Sequence, residues 1–324
     1  MSVDTVTQGL RAHARWRWWE LAIAAAAAGS WFLLPQYSLL LGEIAVLALF
    51  AVSLDLVLGY AGIVSLGHAA FFGLGAYGAT LFATHVMPDP LVGLAVATAI
   101  GAVAGLLSSV LILRGSDLTR LMVTLGVAAV LYELANKPDH ITGGADGLQG
   151  AVMGPLLGVF EFDIEGRVAY GYALVVLAIG VVLARAVVKS PFGVSLQALR
   201  DNRLRAASIG LSVNTRLVAV YAFSAALAGA AGALAAQKSG FSFASLDVLA
   251  FHTSADVMLM LVIGGTGYLY GGIFGAIAFK LMQDLLSTWT PQYWMFWLGL
   301  FLVVLMLVGR ERLFRPWTWW RPAK

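Results

Sequence analysis

The sequence predicts an all-α polytopic membrane protein with about ten transmembrane helices and both termini in the cytoplasm. Three observations lead there. Of 324 residues, 60% are hydrophobic and only 11% are charged, against about 25% charged in a soluble domain. Mean hydropathy is +0.86. The basic residues also fall on one side of the apolar runs, as the positive-inside rule requires of a membrane protein. No disordered, fibrous or disulfide-stapled chain has this composition, and ten spans of about 20 residues leave no room for a nucleotide-binding or enzyme domain.

The apolar runs lie near 21–41, 43–59, 68–86, 91–113 and 118–135, then 169–188, 216–236, 251–265, 269–286 and 293–309. The first 20 residues interleave Arg11, Arg15 and Arg17 with Trp16, Trp18 and Trp19. They read as a cytoplasmic basic–aromatic anchor (1–20) before a retained first span rather than a cleavable leader. The transmembrane body covers 21–309, with a cytoplasmic tail at 310–324. If the pair around Gly264-Gly265-Thr266-Gly267 is one re-entrant element, eight or nine crossings remain. With the N-terminus inside, 16 of the 20 Lys and Arg residues face the cytoplasm, among them Arg114, Arg120, Arg185, Lys189 and Arg216.

Two polar segments interrupt the apolar pattern. The external stretch 136–168 collects Asp139, Asp146, Glu161, Asp163 and Glu165; it is a solvated loop or a cap for a soluble partner. The cytoplasmic segment 189–215 opens with Lys189-Ser190-Pro191-Phe192-Gly193 and continues as an amphipathic, basic helix over 195–207. Pro191 suits its start and Gly210 its end. Leu196, Leu199 and Leu204 sit among Arg200, Arg203 and Arg205, a pattern that fits an interfacial helix on anionic lipid or a helix that docks on a partner.

Polar groups within the apolar layer are the next signal, because an unpaired charge there is costly. Asp55, His68, Glu133, His252, Asp256 and Lys280 qualify. Asp55 and His68 flank a run from Gly59 to Gly67 with three glycines in nine residues, so a continuous helix is not expected there. Freed backbone groups must meet protein or water, which puts the break beside a translocation path or in a packed turn. His252 and Asp256, four apart, share a helical face; Lys280 and Asp284 suit an ion pair. The pairs Gly101/Gly105 and Gly267/Gly271 suit close helix packing.

Several chemistries are absent from the sequence. There is no cysteine, hence no thiolate chemistry. No phosphate-binding loop, zinc-protease motif or nucleophile elbow occurs, and the five histidines have no metal-ligand spacing. No catalytic residue, metal or nucleic acid is expected, and energy for transport must come from an ion gradient or another subunit.

Four blocks resemble the LivM-type permease subunits of bacterial branched-chain amino acid ABC importers, over about residues 43 to 309. They are Gly59-Tyr60-Ala61-Gly62-Ile63-Val64-Ser65-Leu66-Gly67-His68 running on to Gly73, Thr142-Gly143-Gly144-Ala145-Asp146-Gly147-Leu148, Ser190-Pro191-Phe192-Gly193 through Arg200-Asp201-Asn202 to Gly210, and Ile263-Gly264-Gly265-Thr266-Gly267 followed by Gly271-Gly272. The resemblance implies a multi-pass subunit of the bacterial inner membrane, surrounded by lipid. It implies pairing with a paralogous permease, two cytoplasmic ATPase subunits that use ATP-Mg, and a periplasmic solute-binding protein, with no cofactor in this chain. Small-molecule solute would pass by alternating access, by default a branched-chain or other hydrophobic amino acid. The alternatives are urea, short amides or aromatic carboxylates, and behind them an ion-coupled transporter. By the same resemblance, Pro191, Phe192, Gly193, Leu199, Arg200, Asp201, Arg203 and Gly210 would couple to the ATPase. Phe192 and Leu199 would anchor on it, and the arginines would orient the helix against an acidic surface. Gly62, Ser65, His68, Tyr77 and Asp146 are the path candidates, chosen for their place beside non-helical backbone.

Overall fold

The computed structural model describes residues 18–308 apart from Arg114, Ser116 and Ser239. The N-terminal arginines, the cationic tail from Arg310 onward and Arg114 lie outside the described residues. Each apolar run forms a helix: α1 (Trp18–Leu33), α2 (Ser38–Asp55), α3 (Ala69–His85), α4 (Pro90–Ile112) and α5 (Asp117–Asn136) come first. The short α6 (Asp139–Thr142), α7 (Arg167–Lys189), α8 (Pro191–Asp201), α9 (Arg203–Ser208) and α10 (Val213–Ala236) follow, then α11 (Phe251–Gly264), α12 (Gly271–Trp289) and α13 (Trp294–Val308). The fold is helical and multi-spanning, with at least five helices long and apolar enough to cross a membrane.

The first boundary differs from expectation. The apolar run 21–41 does not continue as one helix, because Pro35 has no N–H to donate and its ring blocks the preceding turn. A 3-10 turn at Pro35–Tyr37 ends α1, and α2 starts afresh at Ser38. Elsewhere the helix starts follow local chemistry. Asp89 caps α4 by accepting from the N–H groups of Leu91 and Val92 at 2.8 and 3.1 Å, with Pro90 in the first turn.

The core is built around α2 and α10. In each, 72% of the span is buried, against 33% for α4 and 22% for α5, so α2 and α10 form the centre and the other two the periphery. They run antiparallel, with Ser53 beside Ser224 near one end and Glu43 beside Lys238 near the other. Small residues let α10 lie between α3 and α4: a methyl at Gly75 or Gly232 would overlap the backbone across the α3–α10 contact. At Gly101 it would overlap Ala225 and at Gly229, Ala97. Gly264, Gly271 and Gly275 bring α11 and α12 together in the same way.

Stretch 136–168 is more structured than a bare solvated loop. Its strand β1 (Leu148–Val152) pairs antiparallel with β2 (Phe241–Ala244), an addition to the helical fold that helical periodicity did not signal. Gly154 donates to the Pro88 carbonyl at 2.7 Å and Met153 to that of Gly240 at 2.8 Å, which ties the stretch to the α3–α4 and α10–α11 connections. The molecule therefore has a ribbon end and, opposite it, an end that holds α8, α9 and the break after α2.

Candidate functional site

At Leu56–Tyr60 the backbone widens into a π-turn, and from Ala61 to His68 it is not helical. π-turns mark functional sites often enough to direct attention there. The freed groups meet protein. Asp55, the last residue of α2, is fully buried, and its Oδ1 accepts the Gly267 N–H at 2.7 Å. The Tyr60 hydroxyl accepts the Leu269 N–H at 3.2 Å. The α2 break thus holds the turn between α11 and α12 at two points. Gly267 has φ +79°, in the left-handed region that favours glycine, and a Cβ there would also crowd the Arg200 Nη1 at 3.0 Å.

The third partner comes from α8. Arg200 Nη1 donates to the Gly59 carbonyl, and the Arg200 stem lies over Gly62, where a Cβ would stand 2.8 Å from its Cγ. Two glycine-rich turns and the Arg200 side chain of α8, all remote in sequence, therefore converge on one junction. Arg200 is exposed at the surface while its guanidinium donates inward to the break.

Local sequence explains why α8 is held there. The Ser190 hydroxyl caps it by accepting the Gly193 N–H, and Pro191 occupies the first turn. Gly193 sits so close to Val188 that any side chain would overlap the end of α7. Leu196 and Leu199 are fully buried in this chain's own core, and Arg216 of α10 donates to the Ser195 hydroxyl. Leu199 is thus unavailable as an anchor for a partner, because amphipathicity turned its apolar stripe inward. Phe192 is half-buried against the same core. The surface that is presented holds Val194, Leu204 at 83% and Ile209 at 71% exposure, with Asp201 and Arg205 also exposed; sequence reasoning named Leu204, Asp201 and Arg205 but missed Val194 and Ile209. Leu204 lies in α9 and Ile209 just after it, beyond the stripe that α8 buries. Gly210, with φ +84°, turns the chain toward α10.

The path candidates are dispersed. His68 is wholly buried, stacked on Phe50 at 5.8 Å and met edge-on by Phe71 at 5.6 Å. Its Nε2 lies 3.1 Å from the Ser53 hydroxyl and 3.3 Å from that of Ser224, joining α2, α3 and α10. Gly62 lies under Arg200, and Ser65 is buried. Tyr77, nine residues and about 13 Å along α3 from His68, is buried with Leu249 and Ala244 near the ribbon. Asp146 is exposed on the ribbon-end loop. One helical pair differs from expectation: Lys280 bonds Glu43 at 2.7 Å and Gln283 at 3.3 Å, in place of Asp284. Among the described residues, no group of three or more His, Asp or Glu side chains is placed to hold a metal.

The family profile described as "Branched-chain amino acid transport system / permease component" matches residues 36–308, which takes in α2 through α13 and so all three arms of the junction. The high-affinity branched-chain amino acid transport system permease protein LivM of Escherichia coli (strain K12) is 29% identical over 293 residues, covering 83% of this chain and 68% of the relative. The protein of the same description from Salmonella typhimurium (strain LT2) is also 29% identical over 293 residues, with the same coverage. No solved structure gives a significant match.

Proposed function

The chain belongs to the branched-chain amino acid transport system permease family, and on that premise we propose how it works: as the permease subunit of a heteromeric, ATP-driven importer that moves branched-chain amino acids inward across the bacterial inner membrane. A paralogous permease completes the pathway, two ATPase subunits sit beneath, and a solute-binding protein delivers from above. The α8–α9 end is cytoplasmic and the ribbon end external. That orientation puts Arg185, Lys189, Arg200, Arg203, Arg205 and Arg216 inside, in line with the positive-inside rule.

The observation that carries the mechanism is the junction of Arg200 with Gly59, Asp55 with Gly267 and Tyr60 with Leu269. A partner that grips Leu204 and Ile209 moves α8 and α9. Through Arg200 it displaces the end of α2, and through Asp55 and Tyr60 the α11–α12 turn. Packed interfaces switch between arrangements rather than deform continuously, so ATP-driven closure below changes the access of the spans above. The rim charges Asp201 and Arg205 set register, while the apolar contacts supply most of the binding energy.

The test is uptake of labelled leucine into proteoliposomes that hold the permease pair and ATPases, with the binding protein outside. The proposal requires uptake that depends on both ATP and the binding protein. Leucine accumulation by this chain alone under an ion gradient would overturn it.

A further inference from the structure

A second polar feature lies at the ribbon end, about 18 Å along α2 from Asp55 at 1.5 Å per residue. Glu43 stands within the span Pro35–Tyr60. Its Oε1 accepts from Lys238 at the end of α10, and its Oε2 from Lys280 on α12, both at 2.7 Å. Charges within membrane spans are expensive and mark solute or ion pathways more often than lipid-facing surface. The Glu43 and Lys238 side chains keep 34% and 51% of their surface exposed, so the pair is open rather than sealed in the core.

Glu43 and Lys238 also line a hollow of about 220 Å³ between α2, α7 and the end of α10. Its walls are otherwise largely apolar, with Leu39, Val46, Ala169, Ala173 and Leu234 among them. Pockets for drug-sized ligands measure about 300–1,000 Å³, so this one suits a smaller solute. We propose that it is a subsite for a zwitterionic amino acid with a short branched aliphatic side chain. This rests on the importer reading above and names the residues that hold the solute on the external side.

The chemistry is an exchange of ion pairs. With two ammonium groups on one carboxylate, the cluster carries a net positive charge; a zwitterion leaves that charge unchanged and replaces the Lys238–Glu43 pair with two new ones. Lys238 leaves Glu43 Oε1 for the solute carboxylate, and the freed Oε1 accepts the solute ammonium. Lys280 holds Oε2 throughout and keeps Glu43 aimed at the hollow. The aliphatic side chain fills the space beside Val46 and Ala169. A solute with a single charge leaves one partner of the pair unmatched inside the span, and that mismatch is the source of selectivity.

The experiment uses the complete reconstituted complex with its binding protein and compares leucine and valine uptake. Ala169→Leu narrows the hollow, and Leu39→Trp, at an exposed position, narrows it from the rim without touching the core. Both are expected to lower the leucine-to-valine uptake ratio about threefold or more, since one methylene is worth that or more in a fitted pocket. Lys238→Met is expected to reduce uptake of both about tenfold while all subunits still copurify. An unchanged ratio in the two narrowing variants, including equal loss of both solutes, would make the hollow packing or lipid space and overturn the subsite. Absence of leucine uptake by the unmodified complex would instead count against the importer reading, and the subsite would fall with it.

Discussion

At the scale of single residues, Asp55 does the most with one side chain. It sits where α2 stops being α-helical, is fully buried, and accepts from the Gly267 backbone. Asp55→Ala leaves that N–H without its acceptor, which costs about 1–3 kcal/mol. The purified complex should melt several degrees lower, as followed by thermal unfolding in detergent; an unchanged midpoint would mean that the α11–α12 turn is held by other contacts. Asp55 and His68 stood out in the sequence as polar residues flanking a glycine-rich run. Their partners did not, because Gly267 and Ser224 are over 150 positions away and a backbone N–H leaves no mark in composition. His68 shows the opposite case: its chemistry drew attention, yet the structure packs it between Phe50, Phe71 and two serines as a strut.

Among the elements, α10 makes the bundle possible. A helix that is half alanine and glycine packs little volume per residue, and its contribution comes from close backbone approach to α3 and α4. A Cβ at Gly229 would stand 2.5 Å from the Ala97 carbonyl oxygen. Gly229→Val is therefore expected to cost about 1–3 kcal/mol through overpacking, seen as lower membrane yield and a lower melting temperature. Gly126 on α5 has open space around it, so Gly126→Val is the control that should change neither. Helix existence was legible from apolar runs throughout. Direction of facing was not. α8 looked like a docking helix with Leu199 outward, but an amphipathic helix has one apolar face, and here the chain's own core takes it. The β1–β2 ribbon escaped notice because its strands are short and lie in polar connections.

For the whole molecule, α8 and α9 share one end with the α2 break and the α11–α12 turn, while the ribbon and the Glu43 cluster share the other. The chain has no cysteine, so a single introduced one reports orientation without background. Leu204→Cys should react with an impermeant maleimide only in inside-out vesicles, and Ile164→Cys, 98% exposed at the ribbon end, only in right-side-out ones; the reverse pattern would invert the topology. Under the proposed mechanism, Arg200 carries movement from the α8–α9 segment into the spans. The direct measurement is leucine taken up per ATP hydrolysed by reconstituted complexes with Arg200→Ala. Loss of the bond to Gly59 is expected to lower that ratio about tenfold, equal to about 1.4 kcal/mol of coupling, with every subunit still copurifying. A ratio equal to that of the unmodified complex would contradict the account and leave the junction a matter of packing alone.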